Sequence, residues 1–289
     1  MNYIHDNYLR WSGQGDSWKL EMDKPSRPVK TFYEETIIAA EMLWANKTGE
    51  LNILYSGGLD SEFILSVFLD LGMKVNPIIM SIEPDLNRHD ILYAIDFCQT
   101  RNIDYTVIDV NLQKLLDSGE YLSIAKNSGC PTYQRITTMW LAQQVDGTVI
   151  TGDCPPIMRK RDNMWYNYDE EGLYSFTRCW EHYGILGTPL FGNYTTEMVH
   201  AFLFDPIMIE LGNNRIAGKT ASNSTKHLVY NRNNNFNLKP RIKYHGWEFI
   251  EQQPIFWHDT MREMEKLKAT YTGEVWWPYL EYLKEFSLA

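Results

Sequence analysis

Cysteine is scarce and scattered, with only Cys98, Cys130, Cys154 and Cys179 in 289 residues and no C-x-x-C pair. That spacing excludes the usual structural zinc sites and a dense disulfide framework, and a reducing cytoplasmic setting is the natural expectation. No apolar run approaches the ~18 residues that a membrane span needs, and the stretch from Met1 to Arg10 is polar, so neither a spanning helix nor an export signal is expected. Basic clusters are equally sparse. No Lys/Arg run exceeds Arg159-Lys160-Arg161 and the formal net charge is -10, which leaves no broad footprint for a polyanion. Nucleic acid is therefore disfavoured as a partner, and a small phosphorylated molecule suits a local basic patch better. His89, His200, His227, His245 and His258 show neither H-x-x-x-H nor H-E-x-x-H spacing, so metal hydrolase chemistry has no motif. Internal repeats and long low-complexity segments are also missing.

What is present is ordinary globular composition, 44% hydrophobic and 22% charged, enough for one large α/β domain or a core followed by a smaller part. Residues 1–30 suggest a hairpin or loose arm around Gly13 and Gly15. Thr31-x-x-Glu34 is a capping box, and Tyr33, Ile37, Ala40 and Trp44 then fall on one helical face. Leu51 to Tyr55 predicts a strand that stops at Ser-Gly-Gly. Ile64, Val67, Phe68 and Leu71 then predict a buried helix face ending at Gly72. Further strands are expected over 75–82, 105–110 and 148–150, with helices at 91–98, 112–126 and 131–145 between them. Such alternation implies a parallel sheet with helices on both faces and ligands beyond the carboxyl ends of its strands. Past Pro155-Pro156 the strand rhythm stops. The expected organisation is an arm over 1–30, an α/β nucleotide domain over 31–155, and a smaller, mainly helical C-terminal part over 156–289.

The chemistry concentrates in Ser56-Gly57-Gly58-Leu59-Asp60-Ser61, directly after the first strand of that domain. Two glycines let the backbone approach phosphate oxygens, and the following helix start offers free N–H groups and a positive dipole end. Ser56 and Ser61 can add hydroxyl donors, and Asp60 can hold magnesium against phosphates. The glycines alone are equally compatible with a plain tight turn. The hexapeptide is neither the Walker form nor the dinucleotide fingerprint.

In spelling and position it resembles the PP-loop of the N-type ATP pyrophosphatases, the superfamily of asparagine, β-lactam, NAD and GMP synthetases. The resemblance implies an adenine nucleotide α-hydrolase-like fold, ATP with Mg2+ as cofactors, and attack on the α-phosphorus by a substrate oxygen with release of pyrophosphate. It implies pyrophosphate contacts from Ser56 to Ser61. Adenine contacts are implied at Leu54, Tyr55, Met80 and Ile82, made by backbone groups. Thr151-Gly152-Asp153 is similar to the family's later glycine-acid element, so Gly152 is expected at the phosphates and Asp153 as a second magnesium ligand beside Asp60. A solvated acid at a strand end is the alternative for Asp153. Lys243, in Pro240-Arg241-Ile242-Lys243-Tyr244-His245-Gly246, corresponds to the lysine that covers the pyrophosphate, with Lys226 as its substitute. Arg159 and Lys160 follow closely enough to reach a phosphate.

With only 50 residues before the first strand of the domain, no glutaminase domain is expected there. The implied activity is an asparagine-synthetase-like amide ligase acting on a small molecule, its nitrogen supplied as ammonia, by an amine or by a separate subunit. A homo-oligomer is also left open. The rival readings are sulfur transfer or base and tRNA modification, which would turn on Cys154, and a nucleotide-binding protein without turnover.

Overall fold

The computed structural model describes residues 9–12, 19–22, 24–152, 157–162, 164–212, 221–241, 259–260, 262–264, 266 and 274–278. Strands β1 (Leu9–Ser12) and β2 (Lys19–Met22) pair antiparallel. There follow α1 (Phe32–Asn46), β3 (Leu51–Leu54), α2 (Leu59–Asp70), β4 (Asn76–Ile82), α3 (Arg88–Thr100) and β5 (Thr106–Val110). Three helices, α4 (Leu112–Asp117), α5 (Glu120–Ser128) and α6 (Tyr133–Gln143), lead to β6 (Thr148–Thr151). Beyond it come β7 (Ile157–Arg161), β8 (Met164–Glu170), α7 (Glu171–Tyr183), β9 (Leu186–Thr188), α8 (Thr196–Leu203), α9 (Pro206–Gly212), α10 (Ala221–Tyr230) and β10 (Glu274–Pro278).

The central sheet is parallel throughout, in the order β5-β4-β3-β6-β9. Every residue of β3 and β6 is buried, as a sheet covered by helices on both faces requires. The expected α/β fold is thus present. The chain climbs outward from β3 to β5 and then returns to the other side of β3 with β6. The switch in winding direction therefore falls between β3 and β6, where open parallel sheets bind their ligands.

Three expectations are corrected. The sheet does not end at 155, because β9 pairs parallel with β6, and β7, β8 and β10 form a separate antiparallel sheet in the order β10-β8-β7. Helices α7, α8, α9 and α10 still make up most of the described regular structure beyond 155, so the expected mainly helical part carries these strands in addition. The single helix expected over 112–126 is broken by Gly119, which takes φ 77° between α4 and α5. Finally, α1 buries Phe32, Glu35, Thr36, Ala39, Ala40 and Leu43, a face rotated from the one expected. The cause is Glu35, which is fully buried because Arg27 binds its two oxygens at 2.7 and 2.6 Å and Lys30 N–H adds a third bond. Ser26 reaches Glu197 of α8 at 2.8 Å, so the segment before α1 is tied across two helices.

In α8, His200 is 2% exposed and stacks on Phe204 at 5.5 Å. Burial pushes its pKa down from 6.5 to about 4, against the opposing pull of Glu197. Above the ordinary value both folded and unfolded chains hold it neutral, and its contribution is complete. As pH falls toward about 4 only the unfolded chain takes up the proton, so up to about 3 kcal/mol of stability is lost across that window. His200→Gln is expected to flatten this acid-side slope, measured by urea unfolding at several pH values between neutrality and about 4.

Candidate nucleotide site

The site grows from the end of β3. Tyr55 N–H still donates to Ile78 O at 2.8 Å, holding the chain in the sheet for one more residue. The backbone then turns at Gly57, whose φ of +69° lies in the left-handed region. A Cβ there would sit 2.6 Å from the carbonyl oxygen of Asp90 in α3. Ser61 closes the turn: its Oγ donates to Gly58 O at 3.1 Å and accepts from Ser56 N–H at 3.3 Å, with Ser56 Oγ at 3.2 Å. The Ser61 hydroxyl thus shapes the loop, a role that the phosphate-donor expectation did not include.

Gly58 is the N-cap of α2 and no side chain caps that helix. Its first-turn N–H groups keep the positive end of the dipole without a side-chain acceptor. Two carboxylates, Asp60 and Glu62, sit in the same turn and would oppose a phosphate by themselves. Each is instead matched by a cation from the C-terminal half. Lys226 Nζ lies 2.6 Å from Asp60 Oδ2, and Tyr230 Oη donates to Asp60 Oδ1 at 2.6 Å. Lys226 and Tyr230 stand four residues apart on α10 and so share a face. The Tyr230 ring stacks on Phe63 with centroids 4.4 Å apart, which aims its hydroxyl at Asp60. Arg241 pairs with Glu62 and donates from Nη1 to Gly57 O at 2.9 Å. Tyr55 Oη also donates to Glu62, at 3.2 Å, and burial pushes that phenol's pKa well up, so it stays a neutral donor.

These groups open onto a cavity of about 680 Å³ at the switch point, within the usual range for a small-molecule site. Its walls include Leu54, Tyr55, Met80, Gly152, Lys226 and all six residues from Ser56 to Ser61. Gly152 follows β6 so closely on α2 that a Cβ would lie 2.6 Å from Ser61 Cα. Ile82 does not line it. That residue is fully buried and its N–H donates to Asn87 Oδ1 at 2.8 Å, while Asn87 Nδ2 donates to Met80 O at 2.8 Å. Asn87 therefore takes the Ile82 donor, and the Met80 carbonyl is already an acceptor, which removes much of the backbone reading expected for adenine there. Asp153 and Lys243 lie outside the described residues. Arg159 and Lys160 belong to β7, which packs against α10.

Sequence reasoning did not single out Arg241, Tyr230, or the wall formed by α6, where Thr132, Gln134, Arg135, Thr137 and Thr138 face the cavity. For Tyr230 the signal was its spacing from Lys226, and for Arg241 its place two residues before Lys243. No group of three or more His, Cys, Asp or Glu side chains able to hold a metal occurs among the described residues. Both Asp60 oxygens are engaged by Lys226 and Tyr230. No described helix is long and apolar enough to cross a membrane.

Parallel sheet, glycine turn leaving β3 and uncapped helix start at the switch point are together the arrangement expected of a PP-loop protein. No family model matches the chain, and no curated protein matches it. Solved structures do. An NMN synthetase from Francisella tularensis is 20% identical over 42% of this chain and 53% of its own, with a TM-score of 0.32. The chain thus spans about half of that protein's length. An NH3-dependent NAD synthetase from Campylobacter jejuni is 14% identical over 83% of this chain and 91% of its own, with a TM-score of 0.35. The U34-tRNA thiolase NcsA from Methanococcus maripaludis is 17% identical over 42% and 45%, with a TM-score of 0.28. At such values the site must be understood from its own geometry.

Proposed function

We propose that this chain is an ATP-using ligase of the PP-loop type that forms AMP and pyrophosphate while activating a carboxylate, then passes the acyl group to nitrogen. The observation that carries this reading is the uncapped start of α2, entered through Gly57 and Gly58 and flanked by Lys226 and Arg241, in a cavity large enough for a nucleotide. Backbone N–H groups there suit the β- and γ-phosphates. A substrate carboxylate oxygen attacks the α-phosphorus, the bond to the bridging oxygen breaks, and pyrophosphate leaves with the electron pair. An amine or ammonia then attacks the acyl carbon, releasing AMP and a proton and leaving an amide. Lys226 is the cation we assign to stabilise charge on the departing pyrophosphate. Lys243 keeps the same role on the strength of its motif. Arg135 lines another wall of the cavity and suits the carboxylate of the substrate.

The glycine cradle and the two cations fit a triphosphate. Magnesium would arrive on the phosphates, as it does where few protein ligands are offered, and Asp60 can join it only by yielding Lys226 or Tyr230. Cys154, on which the sulfur-transfer reading turns, lies outside the described residues, and the described thiols Cys98, Cys130 and Cys179 are all buried. Burial raises Cys98 and Cys179, Cys98 to about 11, which leaves little thiolate for attack. Incubation with ATP, magnesium and a panel of acids, with ammonia supplied, should release AMP and pyrophosphate in equal amounts. ADP with orthophosphate would sink the proposal.

A further inference from the structure

Arg241 is joined to the glycine turn by more contacts than an ordinary surface arginine makes. Its Nη1 donates to Gly57 O at 2.9 Å, its Nη2 pairs with Glu62, and its guanidinium lies 5.1 Å from the ring centre of Tyr93. Glu62 is in turn held by the Tyr55 hydroxyl, and its side chain is only 7% exposed. The guanidinium is therefore fixed on three sides: by the carboxylate, by the ring face and by the Gly57 carbonyl.

A planar trans peptide points its C=O and N–H in opposite directions, and the Gly57–Gly58 bond is trans. Holding the Gly57 carbonyl toward Arg241 therefore sends the Gly58 N–H to the other side. That N–H makes no hydrogen bond to any described residue. A peptide flanked by two glycines turns over at little steric cost, because neither residue has a Cβ to oppose the new torsions. Something else must select the orientation that presents N–H rather than C=O to an anion.

We propose that Arg241 is a positioning residue for the anion cradle: by fastening the Gly57 carbonyl it fixes the Gly57–Gly58 peptide with its N–H directed at the phosphate position. The inference rests on the ATP reading above and deepens it, since it makes a residue 184 positions from Gly57 part of the pyrophosphate site. Glu62 and Tyr93 act one step further out, by aiming the guanidinium. A flipped peptide would place a carbonyl dipole against phosphate oxygens, so the loss should fall on pyrophosphate and spare the nucleoside.

The test compares binding of inorganic pyrophosphate and of adenosine to wild type, R241K, R241M and E62Q by calorimetry, with folding checked by circular dichroism. R241M is expected to weaken pyrophosphate binding by about tenfold or more, the scale of one charge-assisted hydrogen bond, with adenosine affinity within about twofold of wild type. R241K keeps the charge but not the fork, and should recover only part of the loss. Added guanidinium should restore pyrophosphate binding to R241M. Should R241M fail to fold, E62Q carries the test, because a loosened Arg241 should still weaken pyrophosphate severalfold. Full pyrophosphate affinity in R241K would mean that charge alone matters, and would overturn the proposal. Unchanged affinity in both R241M and E62Q, or equal loss of both ligands, would overturn it as well. A wild type that binds neither pyrophosphate nor adenosine would overturn the ATP reading itself.

Discussion

Lys226→Met is expected to lower the rate of ATP-dependent pyrophosphate release by about 10²- to 10³-fold, the usual cost of removing one preorganised donor from developing charge. The side chain is 9% exposed, its ammonium is 2.6 Å from Asp60 Oδ2, and it faces the cavity that holds the glycine turn. An ammonium placed this way has already lost most of its water, so it need not reorganise when negative charge appears on a leaving pyrophosphate. Its loss also takes from Asp60 the ammonium that pairs with it, which should cost roughly 1–3 kcal/mol of stability. The two effects separate cleanly. Assayed well below the midpoint of thermal unfolding, the variant is folded and its rate reports the chemistry alone. Asp60→Asn should give a smaller rate loss than Lys226→Met if Asp60 chiefly holds the lysine, and a larger one if it binds magnesium during turnover. A Lys226→Met enzyme with wild-type turnover would remove Lys226 from the mechanism and leave Lys243 as the cation to test.

The part of this site that was legible in the sequence is the part built from neighbours in the chain. Leu51–Leu54 is uniformly buried, two glycines follow, and Ile64, Val67 and Phe68 repeat at helical spacing, so strand, turn and helix could each be recognised locally. The fifth strand was not. It comprises only Leu186–Thr188, with Gly187 at its centre and Gly184 just before it, too short for any periodicity to register. The α1 face was misjudged because Glu35 looks like a solvated acid until Arg27 is seen to pair with it. The same holds at the site. Asp60 reads as a carboxylate for magnesium and Glu62 carries no role in the sequence, whereas the fold brings Lys226 and Arg241 to them from 166 and 179 residues away. Long-range ion pairs leave no trace in local pattern, and here they offset the two carboxylates that would otherwise oppose an anion at the helix start.

Gly152→Ala should be among the most damaging single-methyl changes in the proposed nucleotide site. The new Cβ would lie 2.6 Å from Ser61 Cα and 2.8 Å from both its N and Cβ. Two of those three atoms are backbone, so no rotamer change can relieve the clash. Relief requires the first turn of α2 to move off β6. Ser61 would then lose its bonds to Ser56 and Gly58, and the glycine turn its shape. Overpacking of this kind costs about 1–3 kcal/mol, and the displaced helix start should weaken ATP binding by about tenfold or more, since the N–H groups no longer converge on one anion. Gly119→Ala is the matching control. Its φ of +77° makes alanine strained by about 1–2 kcal/mol, yet nothing lies within 4 Å of the added carbon. That variant should lose comparable stability and bind ATP as the wild type does. If Gly152→Ala bound ATP equally well, the close packing of β6 against α2 would not be what holds the cradle in shape.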